Sequence, residues 1–166
     1  MEKTVYLSLG SNLGDREANL RAAIGKLDEL GQVIAVSAFF ETEPVEFTAQ
    51  PWFLNCAVAV RTHLMPKLFL AKVLAIEQQM GRQRTQPKGP RPIDIDVLLF
   101  GNAVISTPQL KVPHPAMHQR RFVLEPLSEI APDVRHPVFK RSMRELLREL
   151  PREGGQVKRS PNPGRL

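Results

Sequence analysis

Apolar positions recur along this chain with two different periods. From Val5 to Leu9 they alternate, and Gly10-Ser11-Asn12-Leu13-Gly14 closes the run, which predicts a strand ending in a turn. Leu20, Ala23, Ile24, Leu27 and Leu30 then share one helical face, with Asp15 placed to cap the helix and Gly31 to stop it. A second strand is predicted over Val33–Phe40 and a third over Phe53–Arg61, joined by a long loop from Glu41 to Pro51. Pro66 suits the first turn of a second helix, in which Phe69, Val73, Ile76 and Met80 share a face and Gly81 marks the end. A loop from Arg82 to Arg91 leads into a strand ending at Phe100, and Gly101-Asn102 reads as a hairpin turn into a short strand around Val104-Ile105. Val112-Pro113-His114-Pro115 opens an irregular region ahead of Phe122-Val123-Leu124. Ser142-Met143-Arg144-Glu145 is a capping box for a last helix carrying Met143, Leu146, Leu147 and Leu150, ended by Pro151.

The order β-α-β-β-α-β implies an α+β fold. Its core is a ferredoxin-like split β-α-β, an antiparallel sheet with helices packed on it, followed by extra C-terminal strand and helix elements. At 166 residues the chain reads as one domain over 1–150. Residues 151–166 are rich in Pro and Gly, have little to pack, and are expected to form a flexible tail. Arg152, Lys158, Arg159 and Arg165 against Glu153 place half of the net charge of +6 in that tail, so the body is only mildly basic. Cys56 stands alone in an apolar run and reads as a small buried hydrophobe. The opening Met1-Glu2-Lys3-Thr4-Val5 has no signal-peptide pattern, and no apolar run nears the ~20 residues of a membrane span. A cytoplasmic monomer with no membrane association is expected.

Chemistry concentrates in Gly89-Pro90-Arg91-Pro92-Ile93-Asp94-Ile95-Asp96-Val97-Leu98-Leu99-Phe100. Strict alternation puts Ile93, Ile95, Val97 and Leu99 on one face and Asp94, Asp96, Leu98 and Phe100 on the other. A strand apolar on both faces belongs inside a sheet, where carboxylates need a partner or a metal. Residues two apart point the same way, roughly 6–7 Å apart at Cα, so Asp94 and Asp96 can grip one ion or ion pair. Paired aspartates at a strand end are commonly satisfied by backbone or arginine, but here a loop with four cations (Arg82, Arg84, Lys88, Arg91) and no acid precedes them. Carboxylates suit Mg²⁺, and guanidinium forks suit phosphate, so the pairing points to a polyphosphate substrate. Gly81 and Gly89 bracket the loop as hinges for a lid. The Walker and dinucleotide glycine patterns are absent. His114, held rigidly between two prolines, and Arg120 are candidate phosphate contacts. His63, His118 and His136 read as surface residues. Phe53 and Phe122 are core aromatics or a pocket, and Asn55 shares a face with Phe53 and needs a partner if buried.

Together these motifs resemble the 6-hydroxymethyl-7,8-dihydropterin pyrophosphokinase family. The resemblance rests on Gly89-Pro90-Arg91-x-x-Asp94-Ile95-Asp96-Val97-Leu98, Leu9-Gly10-Ser11-Asn12-Leu13-Gly14, Phe53-Leu54-Asn55, Gly81-Arg82-x-Arg84 and Val112-Pro113-His114, in unbroken order from about Thr4 to Leu150. It implies transfer of the β,γ-pyrophosphoryl group of ATP to the hydroxymethyl group of a reduced pterin, with release of AMP. It also implies two Mg²⁺ ions on Asp94 and Asp96, with Arg82 and Arg91 completing the catalytic set. Arg82, Arg84, Arg91, His114, Arg120 and Glu77 would serve ATP. Phe53 and Phe122 would sandwich the pterin, Asn55 would bind its edge, and main-chain groups around Thr42 and Val45 would read the rest. Pro87, Lys88, Pro115 and Phe53 depart from the residues common at those places in the family.

Two other readings have less support. Another Mg²⁺-dependent nucleotidyl- or phosphotransferase would share the Asp-x-Asp strand but not a pocket of Phe53, Asn55 and Phe122. An RNA-binding module would fit the basic pI of about 9.9. It would need exposed aromatics on central strands, which are missing, and its phosphates would meet two aspartates. No nucleic-acid partner is expected.

Overall fold

A computed structural model describes residues 1–44, 49–82, 89–152 and 156–161. Val45, Arg84, Pro87 and Lys88 therefore lie outside the described residues. The elements run β1 (Lys3–Ser11), α1 (Arg16–Leu27), β2 (Gln32–Val36), β3 (Phe40–Thr42), β4 (Phe53–Thr62), α2 (Pro66–Gln79), β5 (Asp94–Phe100), β6 (Ile105–Ser106), β7 (Lys111–Val112), α3 (Arg121–Ile130), α4 (Met143–Glu149) and β8 (Val157–Arg159). The main sheet has the order β5-β1-β4-β3-β8, and β2 pairs β4 beside β3. All its pairs are antiparallel. With β2 and β3 counted as one interrupted strand, the first four strands follow the order 4-1-3-2 of a split β-α-β.

Both faces of the sheet are covered, which explains why β1, β4 and β5 read as nearly continuous apolar runs. Leu20, Ala23, Ile24 and Leu27 of α1 and Phe69, Val73 and Ile76 of α2 pack on one face against Val5, Leu7, Leu9, Val58 and Val60. On the other face, Val123, Leu124 and Leu127 of α3 and Met143 and Leu146 of α4 meet Ala57, Leu98 and Leu99. The predicted caps are in place. Asp15 accepts from the Ala18 N–H at 3.1 Å, and Ser142 and Glu145 close a reciprocal capping box. Among the described residues no helix is long and apolar enough to cross a membrane.

Several local departures have physical causes. The strand predicted over Val33–Phe40 breaks at Ser37, whose N–H and hydroxyl take up the Ala57 carbonyl and N–H in place of a regular rung. Alternation in β5 fails after Val97, because Leu7 pairs Val97 while Tyr6 pairs Leu99. The extra residue is Leu98. This bulge moves Leu99 to the α3 face and Phe100 to the α2 face, where Phe100 meets Phe69 edge-on at 5.7 Å. Gly101-Asn102 does not join β5 to a hairpin partner, since β6 pairs β7 instead. A helix, α3, occupies 121–130, where Pro126 argues against one; its buried Val123, Leu124 and Leu127 outweigh local propensity. His136, expected at the surface, is buried under Phe139, with ring centroids 4.3 Å apart and Nδ1 accepting from Val138 and Phe139. Residues 157–159 of the expected flexible tail form β8, because β3 presents an open edge to them.

Gly31 sits where β2 joins β4, and a Cβ there would lie 2.1 Å from the Arg61 carbonyl oxygen. That backbone atom is fixed by the sheet. Gly31→Ala is expected to destabilise the protein by about 2–3 kcal/mol, as overpacking against rigid backbone does, measurable as a lower urea midpoint with an unchanged slope.

Candidate active site

The site is built where β1 runs between β4 and β5. Gly10 pairs Asn55 on one side and Asp94 on the other, so the three residues stand in one row across the sheet. A Cβ on Gly10 would come within 2.5 Å of Asn55 Nδ2 and 3.3 Å of the Phe53 ring. The missing side chain leaves a floor between the Asn55 and Asp94 groups. Ser8, two residues earlier, pairs Asp96, so both aspartates project from β5 toward the face crossed by α3.

Around Asp94 the charges are closely paired. Arg82 Nη1 donates to Asp94 Oδ1 at 2.5 Å and to Glu77 Oε2 at 2.8 Å. Glu77 is buried near the C-terminus of α2, and the same Oε2 accepts the Ile95 N–H at 2.8 Å, which ties helix to strand. Arg91 Nη2 reaches Asp94 Oδ2 at 3.3 Å, and its Nη1 donates to the Gly89 carbonyl at 2.6 Å. The guanidinium of Arg91 lies over the Phe53 ring, 4.8 Å from its centre. Asn12 fixes this segment from the turn after β1. Its Oδ1 accepts the Arg91 N–H at 2.8 Å, its own N–H donates to the Arg91 carbonyl, and Nδ2 holds Gln50 and the Pro51 carbonyl.

The two aspartates titrate in opposite directions. Burial pushes Asp94 up, but the Arg91 and Arg82 charges outweigh it and hold the group below the usual carboxylate range. Asp96 is pushed up to about 7, first by burial and then by the neighbouring Asp94 charge, which Arg120 offsets only in part. Among the described residues, Asp94 is satisfied by direct cation contacts and Asp96 makes no ion pair. That deficit fits a bound metal. No group of three or more His, Cys, Asp or Glu among the described residues is placed to hold one. Two carboxylates alone suit Mg²⁺, which completes its octahedron with water and phosphate oxygens.

One cavity of about 790 Å³ runs past these groups. At one end lie Thr42, Asn55, Phe53 and Phe122. Thr42 donates its hydroxyl proton to Asn55 Oδ1, and Asn55 Nδ2 donates to the Leu9 carbonyl at 3.2 Å. Arg120 lies over the Phe122 ring at 5.5 Å. His114 lines the middle. Its N–H donates to the Leu98 carbonyl released by the bulge, and its Nδ1 accepts the Ala116 N–H, which puts the proton of the neutral ring on Nε2. Asp94, Asp96, Glu77, Arg82, Arg91, His114, Arg120, Thr42, Phe53, Asn55 and Phe122 thus line a single cavity; Arg84 and Val45 lie outside the described residues.

The far end was not read from the sequence. Leu70 and Leu74 of α2 and Pro108, Leu110 and Lys111 of the β6–β7 hairpin line it. The signal was present, since Leu68, Leu70 and Leu74 fall off the buried stripe of α2 and Leu74 stays exposed. Local spacing marks Asn12 only as part of a turn motif, because its bridging role depends on two segments distant in sequence.

Comparison with known proteins is consistent with this arrangement. The family described as 7,8-dihydro-6-hydroxymethylpterin-pyrophosphokinase (HPPK) matches residues 6–132. A 2-amino-4-hydroxy-6-hydroxymethyldihydropteridine pyrophosphokinase of Aquifex aeolicus is 42% identical over 142 residues, 86% of this chain and 89% of that protein. The Bacillus subtilis protein of the same name is 46% identical over 136 residues, covering 81% of each. The folic acid synthesis protein fol1 of Schizosaccharomyces pombe is 39% identical over 92% of this chain, which spans only 21% of that longer protein. In fold, the chain is similar to a crystal structure of Plasmodium falciparum HPPK-DHPS wild type with pteroate. The TM-score is 0.73 at 19% identity, over 90% of this chain and 42% of that one.

The raised Asp96 carboxyl binds a proton in the folded state that the unfolded chain has already lost, so it opposes folding increasingly as pH climbs from the ordinary value of 3.8 to about 7. Asp94, held low, works the other way and withdraws stability only as pH falls through its folded value. Asp96→Asn is therefore expected to stabilise the metal-free protein by about 1–2 kcal/mol at pH 8 and negligibly at pH 4. Urea titrations at the two pH values read this directly, and an equal gain at both would refute the assignment.

Proposed function

This chain belongs to the 7,8-dihydro-6-hydroxymethylpterin-pyrophosphokinase family, and from that membership we propose how its cavity works. The protein transfers the β,γ-pyrophosphoryl group of ATP to the hydroxymethyl oxygen of 6-hydroxymethyl-7,8-dihydropterin, giving the pterin diphosphate and AMP, a step of tetrahydrofolate biosynthesis. The observation that carries this reading is one cavity with an aromatic and amide end, a carboxylate pair flanked by arginines in the middle, and an apolar far end.

The pterin takes the end with Phe53, Phe122 and Asn55. Its flat ring suits the two aromatic side chains, and the Asn55 amide, oriented by Thr42 and the Leu9 carbonyl, reads its edge. Main-chain groups around Thr42 and Val45 read the remaining donors and acceptors. ATP runs from the centre to the far end, its base against Leu70, Leu74 and Leu110 and its phosphates among Arg82, Arg91, His114 and Arg120; Arg84, outside the described residues, is assigned to the phosphates with them. Glu77 serves this side by holding Arg82. Arg91 Nε, buried without a partner among the described residues, remains as a donor for a phosphate oxygen.

Asp94 and Asp96 would hold two Mg²⁺ ions. Bound Mg²⁺ neutralises phosphate charge and lowers the pKa of a coordinated alcohol. The chain's own part is positioning and charge. It aligns the alcohol oxygen with the β-phosphorus and surrounds the developing charge with fixed guanidinium donors. The alcohol oxygen bonds to the β-phosphorus and its proton passes to water, while the bond from the β-phosphorus to the α-phosphate oxygen breaks and AMP leaves with that electron pair.

Incubating the protein with ATP, Mg²⁺ and 6-hydroxymethyl-7,8-dihydropterin is expected to yield AMP and pterin diphosphate in equal amounts. ADP as the product would mean single-phosphoryl transfer, and no pterin-dependent turnover would favour another Mg²⁺ transferase. Asp94→Ala and Asp96→Ala should each lower kcat by about 10³-fold or more, and Arg82→Ala by about 10²-fold with little change in pterin affinity. Equal losses of pterin and ATP affinity in Arg82→Ala would count against its role.

A further inference from the structure

We propose that the C-terminal strand β8 is a positioning element for the pterin end of the cavity, acting through β3. The inference rests on the functional reading above.

Strand β3 is only three residues long, yet it delivers Thr42, Glu43 and Pro44 to the cavity wall and Thr42 to the Asn55 amide. On one side it is held by Phe53, Leu54 and Asn55 of β4. A three-residue edge strand entering from the break at Ser37 would fray at such an end. Strand β8 covers the other side, pairing Phe40 with Arg159, Glu41 with Lys158 and Thr42 with Val157. The ladder extends past both ends. The Glu43 N–H donates to the Gln156 carbonyl at 3.0 Å, the Gln156 N–H donates to Glu43 Oε1 at 3.1 Å, and the Ser160 N–H donates to the Phe39 carbonyl at 2.8 Å. Every residue from Phe39 to Glu43 thus has a partner in the tail.

Side chains repeat the clamp. Glu129 of α3 accepts the Ala38 N–H on Oε1 and pairs Arg159 on Oε2, both at 2.6 Å, so one carboxylate joins the helix, the start of β3 and the tail. Arg159 also lies over the Phe40 ring, and Lys158 over Trp52, the residue before Phe53. On the Trp52 side, Arg16 grips Glu41 with two bonds of 2.7 Å and holds the Trp52 carbonyl. The tail therefore buttresses both β3 and the entry to β4, which carry Thr42 on one side and Phe53 and Asn55 on the other. None of the described tail residues lines the cavity. Its effect falls on pterin, since the phosphate and apolar ends are built from α2, β5, the β6–β7 hairpin and the segment from His114 to Arg120, and β8 pairs with β3 instead.

The full-length protein tests this in two ways. Lys158→Pro removes a donor from the middle of the ladder, and Arg159→Glu turns the Glu129 pair into a repulsion. Each is expected to raise the pterin KM by roughly five- to tenfold, with kcat and the ATP KM within about twofold of wild type. Arg159→Lys should restore the wild-type value. Unchanged pterin KM in both variants, or equal rises for pterin and ATP, would overturn the inference. Coupling is reciprocal, so the unaltered protein gives an independent readout. Saturating pterin should slow trypsin cleavage after Lys158 and Arg159 by roughly fivefold, and ATP alone should not. Equal cleavage with and without bound pterin overturns the inference, and a wild-type chain that binds no pterin at all overturns the functional reading with it.

Discussion

Two carboxylates projecting the same way from an inner strand repel each other across a short distance, and the walls of their shared cavity leave them only partly exposed to the water that would screen them. The protein answers this repulsion unevenly. Arg82 and Arg91 neutralise Asp94 by direct contact, and Asp96 is left to compete for a proton. An imbalance of this kind opposes folding slightly in the empty state and is relieved by a cation. Stability and ligand binding are coupled at this one pair, and the surrounding architecture serves to hold it.

That holding is done mostly by backbone. Asn12 grips the Arg91 peptide from both sides, Glu77 takes the Ile95 N–H, and the Leu98 carbonyl anchors His114. Each contact joins two elements that are distant in sequence. The strand order places β1 between β4 and β5, and Gly10 lets the ligand-facing groups of its two neighbours meet over an open floor. The arginines then need only short reaches. Their positions are set by what anchors their main chain, which suits a reaction in which alignment and charge matter more than proton abstraction.

Much of this was legible in the chain itself. The paired aspartates, the cationic loop, the capped helices α1 and α4 and the stripe of α2 all follow from local spacing, and local spacing survives folding. What escaped depends on contacts between distant segments. The helix over 121–130 holds because Val123, Leu124 and Leu127 find the sheet, against the advice of Pro126. Strand β8 exists because β3 offers it an unpaired edge, a fact invisible in a tail of Arg, Gly and Pro. At the site, Asp94 and Asp96 announced themselves through their burial context. Leu70 and Leu74 did not, because an apolar residue off a helix stripe is usually just exposed surface.

The bulge at Leu98 has a further consequence. In an unbroken strand, side-chain parity is a single choice, so the identity of every residue facing the site would dictate which residues face the core further along. One inserted residue resets that count. Upstream of it, β5 presents the paired aspartates to the cavity; downstream, Phe100 packs with Phe69 as though the aspartates were absent. The strand is in effect two words written without a space. Substitutions that refine one half are free of the other, and the catalytic end can drift toward new substrates while the hydrophobic end keeps the fold unchanged.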